Sequence, residues 1–207
     1  MPTFYFATTN LSVDGTIDAA SMDFLQRFGL IIMPKIQGPN TRNLTDPARP
    51  TPGCCAEDRI GRAAAFIKKH HHNRDVRVLM YISSCRMFPY YRLTRQFEEA
   101  DMLHHSNGST FTETVGGPGQ QWYYSYHTAD FTQKVVTAKY LQAVRETLTQ
   151  HKATIDGVFA DSSGDLRVAG GANMHLDQTP EFEAAWDVGH AEMLTQLQAV
   201  VTEVLGP

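Results

Sequence analysis

The sequence predicts an α/β protein made of parallel βα repeats, about four in series. Three observations carry this. Short aromatic and aliphatic runs alternate with longer segments of helical period along all 207 residues. Three of the four short runs are nearly continuous apolar stretches, the pattern of strands buried on both faces. Prolines at 39, 47, 50 and 52 and the Gly116-Gly117-Pro118-Gly119 stretch fall between the runs. Strands alternating with helices imply a parallel sheet with crossover helices.

The elements follow in order. Residues 4–8, FYFAT, read as a first strand. Asp18 is placed to cap a helix over 19–28, whose apolar residues Met22, Phe24, Leu25 and Phe28 recur at helical spacing. Gly29 ends it, and residues 30–33 form the second strand. Residues 37–55 carry prolines at 39, 47, 50 and 52 and read as a long loop. A helix over 57–69 puts Ile60, Ala64, Phe66 and Ile67 on its apolar side, and residues 76–83 form the third strand.

Residues 84–91 read as loop and 93–103 as a short helix, followed by an Asn107-Gly108 turn. Residues 132–151 are a long amphipathic helix with Val135, Val136, Tyr140, Leu141, Val144 and Leu148 on one face. The fourth strand covers 155–160 and delivers Asp161 into a polar loop that runs to Thr179. Pro180 suits the first turn of a closing helix that reaches Leu205.

No linker or repeat divides the chain, so residues 1–207 read as a single domain. Four βα units are half of an eight-fold barrel, which usually needs about 250 residues. The chain therefore reads either as a compact four-stranded α/β domain or as the N-terminal half of a barrel. A half barrel exposes the edges of its first and fourth strands, which predicts self-association through them.

Composition bounds the function. The chain is 42% apolar and 19% charged, with a net charge of −4, so no basic footprint points to nucleic acid. Its longest apolar runs are far too short for a membrane span. The first residues show no basic region and no long apolar core of a signal peptide. The expectation is a cytoplasmic protein, unless the natural start lies upstream of Met1. Cys54, Cys55 and Cys85 make a poor disulfide framework and read as free thiols. His70, His71 and His72 are consecutive at a helix end and point to different sides, a poor chelate. No dinucleotide fingerprint, phosphate-binding loop or serine elbow is present. Neither a metal nor a cofactor is expected.

The residue that stands out is Asp161. A carboxylate leaving a buried parallel strand is costly unless it is paired or used, and strand exits are where α/β active sites gather. It has two readings: a catalytic carboxylate, or a cap for the amides of Ser162, Ser163 or Gly164. Asp156 opens the strand, at the opposite end and on the opposite face, and reads as structural.

Four stretches resemble a known family. Ile155-Asp156-Gly157-Val158-Phe159-Ala160-Asp161 resembles the strand that ends in aspartate in hypothetical glycosyl hydrolases and their endo-polygalactosaminidase-like relatives, which are (β/α)8 barrels. Val78-Leu79-Met80-Tyr81-Ile82 resembles another strand of those barrels. Asp101 to Gly108 is similar to one of their turns, and His127 to Thr132 to the segment ahead of their long helix. The long proline-rich loop, the missing proline near Asp130 and the missing second half depart from the pattern.

The resemblance implies a glycoside hydrolase acting on a polysaccharide or oligosaccharide, with Asp161 as a catalytic carboxylate. It also implies a sugar site lined by Lys35, Tyr81, Trp122 and Asp165. Such chemistry needs a second carboxyl group, which the sequence does not identify. The other expectation is a carbohydrate-binding or scaffolding α/β domain that performs no chemistry, or an inactive fragment of a barrel.

Overall fold

The computed structural model describes residues 4–6, 15–34, 56–88, 91–115, 124–169 and 176–206. Its frame is a four-stranded parallel sheet. The strands are β1 (Phe4–Phe6), β2 (Leu30–Met33), β3 (Arg77–Ser83) and, after an insertion, β7 (Gly157–Asp161). They lie in the order β1-β2-β3-β7 and every pairing is parallel. Helix α1 (Ala19–Leu25) joins β1 to β2, α2 (Ala56–His70) joins β2 to β3, and α3 (Lys134–His151) precedes β7. Among the described residues the sheet is open, since β1 and β7 are not neighbours.

The local reasons are those the sequence offers. Asp18 caps α1, its carboxylate accepting from the Ser21 amide at 2.9 Å. α2 begins with Glu57 and Asp58 and ends with Lys68, Lys69 and His70, which matches charge to the helix dipole. α3 buries Val136, Tyr140, Val144 and Leu148. Each such side chain contributes roughly 1.5–3 kcal/mol of burial. α5 (Pro180–Leu205) starts at Pro180, is capped by Thr179, and packs along α3 with Trp186 fully buried. That packing is close at Gly189, where a β-carbon would sit 2.0 Å from the Phe131 carbonyl.

The register of β3 and β7 sets the two faces. Tyr81 pairs with Phe159 and Ser83 with Asp161. Leu79, Tyr81, Ser83, Gly157, Phe159 and Asp161 therefore share one face, and Val78, Met80, Ile82, Val158 and Ala160 the other. Asp156 lies toward α2, where Lys68 reaches its carboxylate at 2.7 Å. Its second oxygen accepts from the Val78 amide at 2.8 Å. It is a structural tie at the strand entrance.

The βα series has an insertion that the pattern does not show. Between β3 and α3 stands a second, antiparallel sheet in the order β4-β6-β5, made of β4 (Arg86–Met87), β5 (Thr112–Val115) and β6 (Tyr124–Thr128). Residues 84–91, read as loop, contain β4. Residues 93–103, read as a helix, are instead two 3-10 turns, Arg92–Gln96 and Glu99–Asp101. Asp101 explains the break: its side chain accepts from the Glu98 amide and from Lys139 of α3, so it closes a short turn rather than extending a helix. The loop after β7 also contains a short α4 (Leu166–Ala169). His71 is buried, its ring between the Leu25 and Asn73 carbonyls.

Candidate functional site

Asp161 is the last residue of β7, half-buried at the strand exit. Two donors orient its carboxylate. Tyr81 of β3 donates its hydroxyl to Oδ2 at 2.6 Å, and the Ser162 amide donates to Oδ1 at 2.8 Å. Tyr81 is itself fixed: it is buried, and its carbonyl accepts from the Tyr91 hydroxyl at 2.9 Å. A short hydroxyl–carboxylate bond is among the stronger hydrogen bonds available to a side chain.

The loop beyond Asp161 is held under strain. Ser162 has φ 63°, the left-handed region, as a non-glycine residue. Such a conformation costs roughly 1–3 kcal/mol and persists only where its surroundings impose it. Here the Ser162 carbonyl accepts from the Ser84 hydroxyl at 2.8 Å. His190 of α5 anchors the same region, with Nδ1 3.1 Å from the Gly164 carbonyl and Nε2 3.0 Å from Ser84 Oγ. A carbonyl only accepts, so Nδ1 donates to Gly164; the single Ser84 hydroxyl proton goes either to the Ser162 carbonyl or to a neutral Nε2, not to both. Burial lowers the His190 pKa, against the Gly164 carbonyl and the nearby Asp187, which raise it. Phe131 stacks on its ring and Trp186 lies tilted beside it. From the other side Tyr140 of α3 donates to the Ser83 carbonyl at 2.6 Å. The ends of β3 and β7 are thus tied to both long helices.

The second sheet rises directly from this end. The Ser84 amide bonds the Asp161 carbonyl, and two residues later the chain is already in β4. Arg86 pairs with Thr128, and Glu113 with Tyr126. Thr128 and Tyr126 are two apart on β6, so all four residues share one face. That face is turned inward, with Thr128 and Tyr126 buried while Ser125, Thr112 and Thr114 on the reverse are exposed. The Arg86 guanidinium lies over the Tyr126 ring, 5.3 Å from its centre. Three polar atoms on this inward face, Arg86 Nε, Glu113 Oε2 and Thr128 Oγ1, are buried without a hydrogen-bond partner among the described residues.

Cys85 sits between the two sheets, fully buried, with Sγ 3.9 Å from the Ser162 carbonyl. Burial pushes its thiol up to about 12; Arg86 pulls against this, while Glu113 and Asp161 add to it. The thiol is therefore inert at neutral pH, and the charges of both carboxylates are felt at one buried sulfur.

Of the sequence candidates, the structure brings together Asp161 and Tyr81. Asp165 is exposed in the loop just ahead of α4, whose first amide is capped by Asp187 at 2.6 Å. Lys35 and Trp122 lie outside the described residues, as do Cys54 and Cys55. Sequence reasoning missed Ser84, Arg86, Glu113 and His190. A signal for one pair existed: Thr112, Thr114 and His127 alternate with Glu113, Tyr126 and Thr128 at the period of two that marks half-buried antiparallel strands.

Chemically, the arrangement presents an oriented, half-buried carboxylate beside a phenol, at the mouth of a parallel sheet. That suits a nucleophile or a general base. No family model matches the chain, and no curated protein matches it. Among solved structures it is similar to an α-galactosidase from Thermus thermophilus in complex with p-nitrophenyl α-D-galactopyranoside. That likeness has a TM-score of 0.51 and 15% identity, and covers 98% of this chain and 36% of that one. The chain thus spans about a third of the length of the enzyme it resembles. The likeness is one of fold, to a glycosidase.

Proposed function

We propose that this chain is a glycoside hydrolase-like protein, the N-terminal part of a (β/α)8 barrel, with Asp161 as a catalytic carboxylate on a glycosidic bond. The observation that carries this reading is the hydroxyl of Tyr81 on the carboxylate of Asp161, at the exit of adjacent parallel strands. A carboxylate fixed in direction at that rim is what displacement at an anomeric carbon requires. The fold likeness to a glycosidase supports the same substrate class. In this reading Tyr81, Lys35, Trp122 and Asp165 line the sugar site, and the substrate is a polysaccharide or oligosaccharide.

A second reading is a carbohydrate-binding or scaffolding domain without chemistry. It is favoured by the sheet, which is open among the described residues. Under this reading the sheet edges bind further copies of the chain. Incubation with a panel of oligosaccharides and p-nitrophenyl glycosides separates the two. Release of reducing ends or nitrophenol supports the hydrolase. Calorimetric binding of a sugar without turnover supports the binding domain.

A further inference from the structure

We infer that His190 of α5 is a positioning residue for Asp161, acting through the Ser84 hydroxyl and the Ser162 backbone, and that a proton on its ring tightens the hold; this rests on the hydrolase reading of Asp161.

An unbroken series of hydrogen-bond contacts joins the two side chains. The Ser162 amide donates to Asp161 Oδ1 at 2.8 Å. The carbonyl of the same residue accepts from the Ser84 hydroxyl at 2.8 Å. Ser84 Oγ in turn stands 3.0 Å from His190 Nε2, and Nδ1 of that ring stands 3.1 Å from the Gly164 carbonyl. Ser84 and His190 are both buried, which shelters these contacts from solvent. The series therefore starts at the carboxylate, crosses to the end of β3, reaches α5, and returns to the loop beyond Asp161.

Ser162 is the part of this series that can move. It holds φ 63° without being glycine, and such a backbone relaxes unless its surroundings impose it. Its bond to Asp161 lies on the amide side of that torsion and its bond to Ser84 on the carbonyl side. Releasing the carbonyl therefore lets the amide swing away from the carboxylate. The Cys85 thiol also faces this carbonyl, at 3.9 Å, but a thiol is a weak donor, so Ser84 is the group that holds it.

Counting protons shows what the ring controls. Nδ1 faces a carbonyl and carries a hydrogen in either state. In the neutral ring Nε2 is then a bare acceptor, and it competes with the Ser162 carbonyl for the one Ser84 proton. When the ring takes a proton from solvent on Nε2, that nitrogen donates to Ser84 Oγ, and the Ser84 proton is left for Ser162 alone. Only in that state is every contact of the series satisfied.

The groups facing the ring set where this happens. On α5 itself the Asp187 carboxylate, which also accepts from the Leu166 amide at 2.6 Å, favours the charged ring. The Gly164 carbonyl, from the loop after β7, favours it too. The segment before α3 offers only the Phe131 ring, stacked on the imidazole, and Trp186 lies beside it. From the end of β3 come the Ser84 hydroxyl and, beyond it, the Cys85 thiol, which burial keeps neutral. Burial of the imidazole outweighs the favourable groups, so the change falls on the acid side of the ordinary value of 6.5.

The test is kcat/KM per folded molecule against pH, on the 2,4-dinitrophenyl derivative of a glycoside that the chain cleaves. That leaving group needs no acid, and kcat/KM reports groups of the free enzyme. The His190 ring is titrated separately by NMR. In the full chain kcat/KM should rise about two- to tenfold as pH falls through the His190 titration, the effect of one hydrogen bond made firm. Protonation of Asp161 lowers it again at more acid pH. In Ser84→Ala the ring should still titrate while kcat/KM no longer follows it. His190→Gln, which cannot titrate, should show the same flat region. A packing role for either residue would lower the folded fraction and leave the profile per folded molecule unchanged. A profile that ignores the His190 titration, or one that still follows it in Ser84→Ala, overturns the inference while leaving Asp161 in place. Absence of turnover by the unaltered chain on every glycoside of the panel overturns the hydrolase reading, and the role of His190 with it.

Discussion

Tyr81 and Asp161 are joined side chain to side chain across neighbouring parallel strands, hydroxyl to carboxylate, at 2.6 Å. The register explains the contact. Tyr81 stands opposite Phe159, two residues before Asp161 on the same face, and a phenol is long enough to reach forward to the strand end. One buried side chain thus turns a solvent-facing aspartate into a directed one.

Tyr81→Phe removes that donor and leaves no cavity, because the ring still fills its buried position. The loss is one hydrogen bond to a charged group, about 1.5–3 kcal/mol of stability. Denaturant unfolding with an unchanged slope measures it. If Asp161 acts on substrate, kcat also falls, since the carboxylate loses its fixed direction.

The two aspartates of the strand should separate cleanly. Asp156→Asn removes the ion pair with Lys68, which partial burial shields from some of the solvent screening, and weakens the cap on the Val78 amide. It should cost about 1–2 kcal/mol of stability with turnover per folded molecule unchanged. Thermal unfolding and an activity assay on the same preparation check both halves.

Two glycines should respond differently to an added methyl. At Gly157 a β-carbon meets Leu79 Cδ2 at 2.9 Å, the far end of a side chain that can rotate away. At Gly189 it meets the Phe131 carbonyl at 2.0 Å, which is backbone. Gly157→Ala should cost about 1 kcal/mol and Gly189→Ala about 3 kcal/mol or more. Comparison of the two midpoints in urea tests the difference.

His190 makes stability depend on pH. Burial lowers its pKa in the folded protein below the ordinary value of 6.5. Between the two values the unfolded chain binds the proton and the folded one does not, so stability falls as pH drops below about 6.5. Below the folded value this group adds no further loss. The groups facing the ring are Asp187 from its own helix, the Gly164 carbonyl, the Ser84 hydroxyl and the Phe131 and Trp186 rings. Unfolding of the unaltered protein and of His190→Asn at pH 7.5 and 5.5 should show the slope flattened in the variant.

The parallel frame was legible because β2 and β3 are largely buried on both faces and read as nearly unbroken apolar runs, and β7 keeps the same apolar pattern although its residues after Gly157 are only half-buried. The helices were legible from Asp18, Pro180 and the period of Val136, Tyr140 and Val144. Asp161 was legible from its place after such a run. The inserted sheet was not, because its strands are short and half-polar: Thr112, Thr114 and Ser125 face solvent, and the apolar content lies in single residues such as Tyr126. Glu113 was hidden for the same reason, since a lone glutamate among threonines reads as surface until the pairing with Tyr126 turns it inward. His190 looked like one more polar residue on a helix; only the approach of α5 at Gly189 shows why it is buried.

The most direct test of Asp161 as a catalytic carboxylate is the turnover of an aryl glycoside cleaved by this chain, set against Asp161→Asn. Asparagine keeps the size of the side chain and its place beside Tyr81 while removing the charge. A loss of at least roughly 1,000-fold in kcat, with unfolding nearly unchanged, is the predicted result. Turnover within a few-fold of the unaltered protein would contradict it and leave Asp161 as no more than the cap of its own loop.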